Sequence, residues 1–160
     1  MAATPLERLA ELGLALPPAS VPSANYVAWK RAGVFAYISG QVSVIPGGPS
    51  FIGRVGDGMD RQQGYEAARI ACLNAIAQLA VAADGLENVT DIVKVSGFVH
   101  ATAALTDHPF VMNGASDLLV AVFGEAGRHT RFAVGAASLP RGVAVELDLI
   151  AMVSGAETRL

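Results

Sequence analysis

From Val143 to Leu149 every second residue is a branched aliphatic (Val143, Val145, Leu147, Leu149), and the residues between include Glu146 and Asp148. A period of two belongs to a β-strand with one face buried and the other open. The chain must therefore build a sheet and lay something apolar against one side of it. A candidate cover lies upstream. Residues 60–84 hold the alanine-rich run EAARIACLNAIAQLAVAA, opened by Asp60 as a cap and closed before Gly85. Small side chains let such a helix lie close against a sheet.

The remaining elements follow from local signals. Thr4-Pro5-Leu6-Glu7 has the form of a capping box with proline at the first helical position, and Gly13 is a natural stop. LPPASVPSAN, residues 16–25, holds three prolines and reads as an extended connector. YVAWKRA and VFAYISGQ flank Gly33 as a tight hairpin, and DIVKVSGFVH follows the long helix as a strand. The glycine-rich segment 46–58 leaves room for a short strand at 51–55, a second helix is expected over 111–123, and the chain closes with two strands joined by SLPRG. The string β-β-(β)-α-β-α-β-β predicts an α+β fold, a mixed sheet with two helices packed on one face. Residues 1–24 are expected to form an N-terminal helix and connector, and 25–160 a single domain.

If the last two strands form a hairpin about Pro140 and Arg141, Arg131, Ala133 and Gly135 share with Glu146 and Asp148 the face turned away from the helices, and Arg131 and Glu146 become diagonal neighbours about 7 Å apart at Cβ. The plain reading is a solvated face carrying an ion pair worth under about 1 kcal/mol. The small residues Ala133, Gly135 and Ala137 argue instead for a surface approached closely by a ligand or another subunit. An arginine there suits a carboxylate, which its planar fork holds with two hydrogen bonds.

Composition narrows the function. Hydrophobic residues make up 52% of the chain and charged residues 16%, against roughly 25% charged in an average soluble domain, so apolar surface is expected to be buried between subunits. A net charge of −3 without a Lys/Arg cluster speaks against nucleic acid as a partner. One cysteine, Cys72, excludes an internal disulfide and a cysteine-based zinc site. With no basic leader and no run of about 18 apolar residues, no membrane partner and a cytoplasmic location are expected.

Tyr26 in ANYV, Ser39-Gly40-Gln41 closing an apolar strand, the long helix followed by DIVKVSGFV, and above all RFAVGAASLPRGVAVELDLIA resemble the Rid family, also called YjgF, the reactive intermediate deaminases. The likeness spans residues 25–153. It implies the chorismate-mutase-like Rid fold and a homotrimer whose sheets form a central barrel with a cleft at each subunit interface. It further implies hydrolysis of small 2-imino acids and their enamine tautomers, of the 2-aminoacrylate type, to 2-keto acids and ammonia, with no metal or organic cofactor. Carried over by position, Arg131 holds the substrate carboxylate, Glu146 positions or activates water, and Tyr26, Ser39 and Gly40 shape the pocket. Active members often carry a cysteine where this chain has Ala133, and an asparagine where it has Ser116, with Asn113 one turn earlier. These departures, with the N-terminal helix, mark a divergent subgroup. Binding of small carboxylates such as 2-keto acids without catalysis is the alternative; endoribonuclease action, a label some members carry, is disfavoured by charge.

Cys72 reads as a buried small hydrophobe. His100, His108 and His129 lack metal-ligand spacing, His129 standing two residues before Arg131 as a possible proton carrier. The loop 47–58 lacks the lysine of a P-loop.

Overall fold

The computed structural model describes residues 2–155, so the last five residues of the expected 25–160 domain lie outside the described residues. Its elements run α1 (Pro5–Glu11), β1 (Trp29–Ala32), β2 (Phe35–Val42), β3 (Arg54–Val55), β4 (Gly58–Met59), α2 (Arg61–Ala82), β5 (Val89–His100), α3 (His108–Phe123), β6 (Thr130–Ala136) and β7 (Val145–Val153). Five strands form one mixed sheet in the order β1-β2-β7-β5-β6, while β3 and β4 pair as a separate parallel ribbon. The α+β architecture read from the sequence is thus the one found.

Helix ends follow their sequence signals. Thr4 and Glu7 close a reciprocal capping box, as do Asp60 and Gln63 at the start of α2. Only α3 starts away from its expected position, at His108 instead of residue 111. Pro109 fits the first turn, where its missing N–H costs nothing, and the Asp107 carboxylate pairs with Arg61 Nη1 at 2.6 Å without capping the helix. The helix layer packs at close range. A Cβ on Gly114 of α3 would stand 2.0 Å from the Tyr65 carbonyl oxygen of α2, so only glycine permits this crossing. Beneath it, Ala36, Ile38, Val95, Val99, Val145, Leu147 and Leu149 are buried against α2 residues such as Ala68, Ala71, Cys72 and Ile76. The short helix α1 adds Leu9 to this core, and the buried Gln78 of α2 donates to the Ser20 carbonyl at 2.7 Å, tying the extended connector down.

The hairpin at Gly33 forms, with Ala32 opposite Phe35. The one expected between the last two strands does not. β6 runs parallel to β5, Val95 opposite Arg131 and Phe98 opposite Val134, and β7 pairs antiparallel with the other edge of β5, Phe98 opposite Glu146. Because α3 returns the chain as a crossover, β6 enters parallel to β5, and residues 137–144 carry it across β5 to the far side. The faces are reassigned accordingly. Arg131 stands beside the fully buried Val95 and bonds to α3, so it lies on the helix side. Glu146 lies between the buried Val145 and Leu147 and shares the open side with Phe98, Phe132 and Val134.

Candidate functional site

The residues singled out in the sequence fall into two groups on one chain. The first is built where β6 leaves the 3-10 turn at 124–127 beneath α3. Asn113 and Ser116, three residues apart and so on one helix face, both accept from Arg131: Nη1 lies 3.0 Å from Asn113 Oδ1 and 3.0 Å from Ser116 Oγ. Nη2 also donates to the Pro109 carbonyl at 3.4 Å. These partners are neutral, and among the described residues Arg131 enters no ion pair. The guanidinium is thereby oriented, its charge uncompensated, with its Nε–H and one Nη2 N–H left for a ligand.

His129 extends this group. Its Nε2 lies 2.9 Å from Ser116 Oγ and its Nδ1 2.6 Å from the Gly127 carbonyl oxygen. Burial pushes the imidazole pKa below its ordinary value, the Gly127 bond opposes this, and the charge of Arg131 adds to the depression. Ala133 follows two residues after Arg131 in β6, opposite Gly97 of β5. At Gly135 the strand comes so close to α3 that a Cβ would stand 2.6 Å from His108 Nε2.

The second group surrounds Glu146. Pairing of β2 with β7 slips between Ile38 and Gln41, so that Ser39 and Gly40 form a bulge. A bulge bends its strand and re-aims the side chains beside it. Gly40 leaves a bare backbone, and a Cβ there would fall 2.5 Å from Glu146 Oε1. Ser39 N–H donates to the Ala28 carbonyl at 2.9 Å and its Oγ to the Val27 carbonyl at 2.7 Å, anchoring the segment that carries Tyr26. Together Tyr26, Ser39, Gly40 and Glu146 line a cavity of about 630 Å³, with Pro18 and Val21 of the connector and Arg141 on its walls. Burial, and next the charge of Asp148, raise the Glu146 carboxyl above the usual glutamate range. A half-buried carboxylate with a raised pKa is a stronger base than a solvated one, as a group that takes a proton from water needs to be.

Tyr26, Ser39, Gly40 and Glu146 are therefore brought together, as are Arg131, Ala133 and Ser116. The two groups are not joined within the chain: they lie on opposite faces, and β5 separates their strands. The expected diagonal contact between Arg131 and Glu146 is replaced by this division. The connector wall of the cavity, residues 18–23, was missed in the sequence, where three prolines mark an extended path but not its course. Cys72 is fully buried, its Sγ 3.6 Å from the Ala115 carbonyl and its thiol pKa pushed far up by burial, so it is no nucleophile. No cluster of three metal-ligating side chains occurs among the described residues, and no helix there is long and apolar enough to cross a membrane.

The fold and both groups can be set beside known proteins. A family profile described as "YjgF/chorismate mutase-like, putative endoribonuclease" matches residues 6–152. The chain belongs to the YjgF/chorismate-mutase-like family. Among YjgF relatives, Protein TCP17 of Trypanosoma cruzi is 40% identical over 143 residues, 89% of each chain. A crystal structure of a "putative endoribonuclease" from Shewanella oneidensis MR-1 is 34% identical, with a TM-score of 0.90 over 94% of this chain and 100% of that one. TdcF of E. coli, solved with bound serine, is 25% identical with a TM-score of 0.60 over 87% of this chain and 94% of its own. The YjgF match begins inside α1, so it takes in the N-terminal segment that the resemblance read from the sequence left out.

Proposed function

We propose that this YjgF protein hydrolyses small 2-imino acids and their enamine tautomers to 2-keto acids and ammonia, in clefts between the subunits of a homotrimer. The observation that carries the reading is the division of the site: an oriented arginine without a counter-ion among the described residues on one part of the chain, and a carboxylate with a raised pKa beside a cavity on another. Each lacks what the other supplies, and a second copy of the chain is the source that brings them together. Phe98, Phe132 and Val134, 37%, 38% and 41% exposed on the open face, support burial of that face against other copies.

In the proposed reaction Arg131 holds the substrate carboxylate with two hydrogen bonds. A proton from solvent adds to the terminal carbon and converts the enamine to the iminium. The oxygen of a water then bonds to C2 as Glu146 takes one of its protons. Returning that proton to the nitrogen lets the C–N bond break, and ammonia leaves as the hydroxyl gives its own proton back to Glu146, which passes it to solvent, and the carbonyl forms. The imine also reacts in water unaided, so orientation and one positioned base, typically worth about 10² to 10⁴-fold, supply what the reaction needs. Serine bound to TdcF, a small molecule with a carboxylate and an amine, is in keeping with a ligand of this class.

Ala133, standing where active members often carry cysteine, favours a second reading in which the same clamp binds 2-keto acids without turnover. The net charge of −3 leaves endoribonuclease action the least supported of the three, since phosphate binding draws on several Lys or Arg contacts. The test is turnover of freshly generated 2-aminoacrylate or its four-carbon homologue. Keto acid released faster than in buffer supports the enzyme; pyruvate binding without acceleration supports the binder.

A further inference from the structure

The protons of the Ser116–His129 pair can be placed by elimination. The Gly127 oxygen only accepts, so the short contact at 2.6 Å puts the imidazole proton on Nδ1. In the neutral ring Nε2 is then an acceptor, and Ser116, 2.9 Å away, must donate its single hydroxyl hydrogen to it. Arg131 Nη1 in turn meets a lone pair of the same oxygen at 3.0 Å. The resulting chain runs from the Arg131 N–H to Ser116 Oγ–H, to His129 Nε2, and from Nδ1–H to the Gly127 carbonyl. In this state the hydroxyl that touches the arginine has no hydrogen left for a ligand.

Adding one proton to His129 reverses the middle link. Nε2–H then donates to Ser116 Oγ, whose two lone pairs accommodate both His129 and Arg131, and the hydroxyl hydrogen is released. A second positive charge also appears beside the guanidinium. We propose that Ser116 and His129 make the Arg131 clamp proton-coupled: a small carboxylate docking at Arg131 draws a proton onto His129 and receives the freed Ser116 hydroxyl as a further donor. His129 acts through Ser116 and is a positioning residue. The proposal rests on Arg131 being the carboxylate clamp.

The surroundings leave few rivals for this coupling. Burial is the larger cause of the lowered pKa of the ring, and Arg131 is the charge that adds to it. Asp117, next along α3, accepts the Tyr65 hydroxyl at 2.8 Å, and Glu125 and Arg128 of the adjoining turn pair with each other at 3.1 Å in an exposed position. On β5, Lys94 lies opposite Thr130 and over the Phe132 ring, and Arg8 of α1 donates to the Val122 carbonyl. His108, against Gly135, is the other imidazole on this side and serves as the control.

Because a depressed imidazole is neutral at pH 7.5 and gains its proton only as pH falls, carboxylate affinity should rise toward acid. The ligand's carboxyl, made more acidic by the adjacent carbonyl than a peptide α-carboxyl of pKa about 3.5, stays ionised throughout. The experiment is calorimetric titration of the intact protein with pyruvate from pH 7.5 to 5.5, in buffers of different ionisation enthalpy so that proton uptake is counted. In the wild type and in His108→Gln, affinity should increase about 5- to 10-fold with uptake of part of a proton. In His129→Gln the acid gain and the uptake should vanish while binding at pH 7.5 persists, and Ser116→Ala should show a smaller gain. In the unaltered protein, NMR titration of His129 should show its pKa rising when pyruvate is bound, as linkage requires. Binding weakened by Arg131→Lys but independent of pH and without proton uptake overturns the coupling and leaves the clamp standing. Equal affinities in wild type and Arg131→Lys overturn the clamp, and the coupling with it.

Discussion

The carboxylate of Glu146 lies over the bare backbone of Gly40, in a space that a single methyl group would fill. Gly40→Ala should therefore push the carboxylate aside. The obstructing atom is the end of a flexible side chain, so stability should change by less than about 1 kcal/mol, whereas turnover should fall 10-fold or more. Thermal unfolding and steady-state rates measured on the same preparation separate the two effects; unchanged turnover would show that the position of Glu146 is irrelevant to the chemistry.

The raised pKa of Glu146 sets a pH dependence. A general base works only when ionised, so kcat should decline as pH falls through the Glu146 pKa, with a midpoint above the ordinary glutamate value of about 4.3. Asp148→Asn removes the neighbouring negative charge and should move that midpoint toward acid. A pH–rate profile of both proteins checks the direction of the shift, and a shift toward base contradicts the assignment.

Arg131→Lys keeps the charge and discards the fork that meets a carboxylate with two bonds. Affinity for pyruvate and 2-oxobutyrate should drop about 10-fold or more. Glu146→Gln keeps the shape and loses the base, so affinity should hold while turnover falls about 10²-fold or more. Calorimetry with both keto acids, combined with rates, distinguishes the roles; a loss of affinity confined to Glu146→Gln would reverse them.

Phe98 and Phe132 meet edge to face, ring centroids 5.5 Å apart, on the open side of the sheet. If that side is the subunit interface, Phe132→Asp buries a charge where an aromatic ring packed, and light scattering should report monomers where the wild type gives trimers. Turnover should vanish although Arg131 and Glu146 are untouched. A wild type that remains monomeric at micromolar concentration removes the basis for an interfacial site.

Much of the fold was legible because its signals are local. Thr4 with Glu7 and Asp60 with Gln63 fix two helix starts within four residues each, and Gly33 at φ 60° marks its hairpin. Strand partnership is not local. SLPRG reads as a hairpin turn, and nothing within it records that β5 lies between β6 and β7. That one error of pairing put Arg131 and Glu146 on a common face, whereas the structure sets them on opposite faces with β5 between their strands. His129 stood out only by its nearness to Arg131 in sequence; its bond to Ser116 depends on how α3 folds back over β6.

The division of the site between faces changes what a mutation in one chain does to an assembly. Arg131→Ala and Glu146→Gln subunits would each be inactive alone, yet when mixed, a cleft taking its arginine from one kind and its glutamate from the other would be whole. Random assembly of equal amounts would leave about a quarter of the clefts intact, so two dead proteins should recover activity on being unfolded and refolded together. If the cleft forms between subunits, a damaged copy can be rescued by a differently damaged one, and the junction rather than the chain is the unit that carries the function.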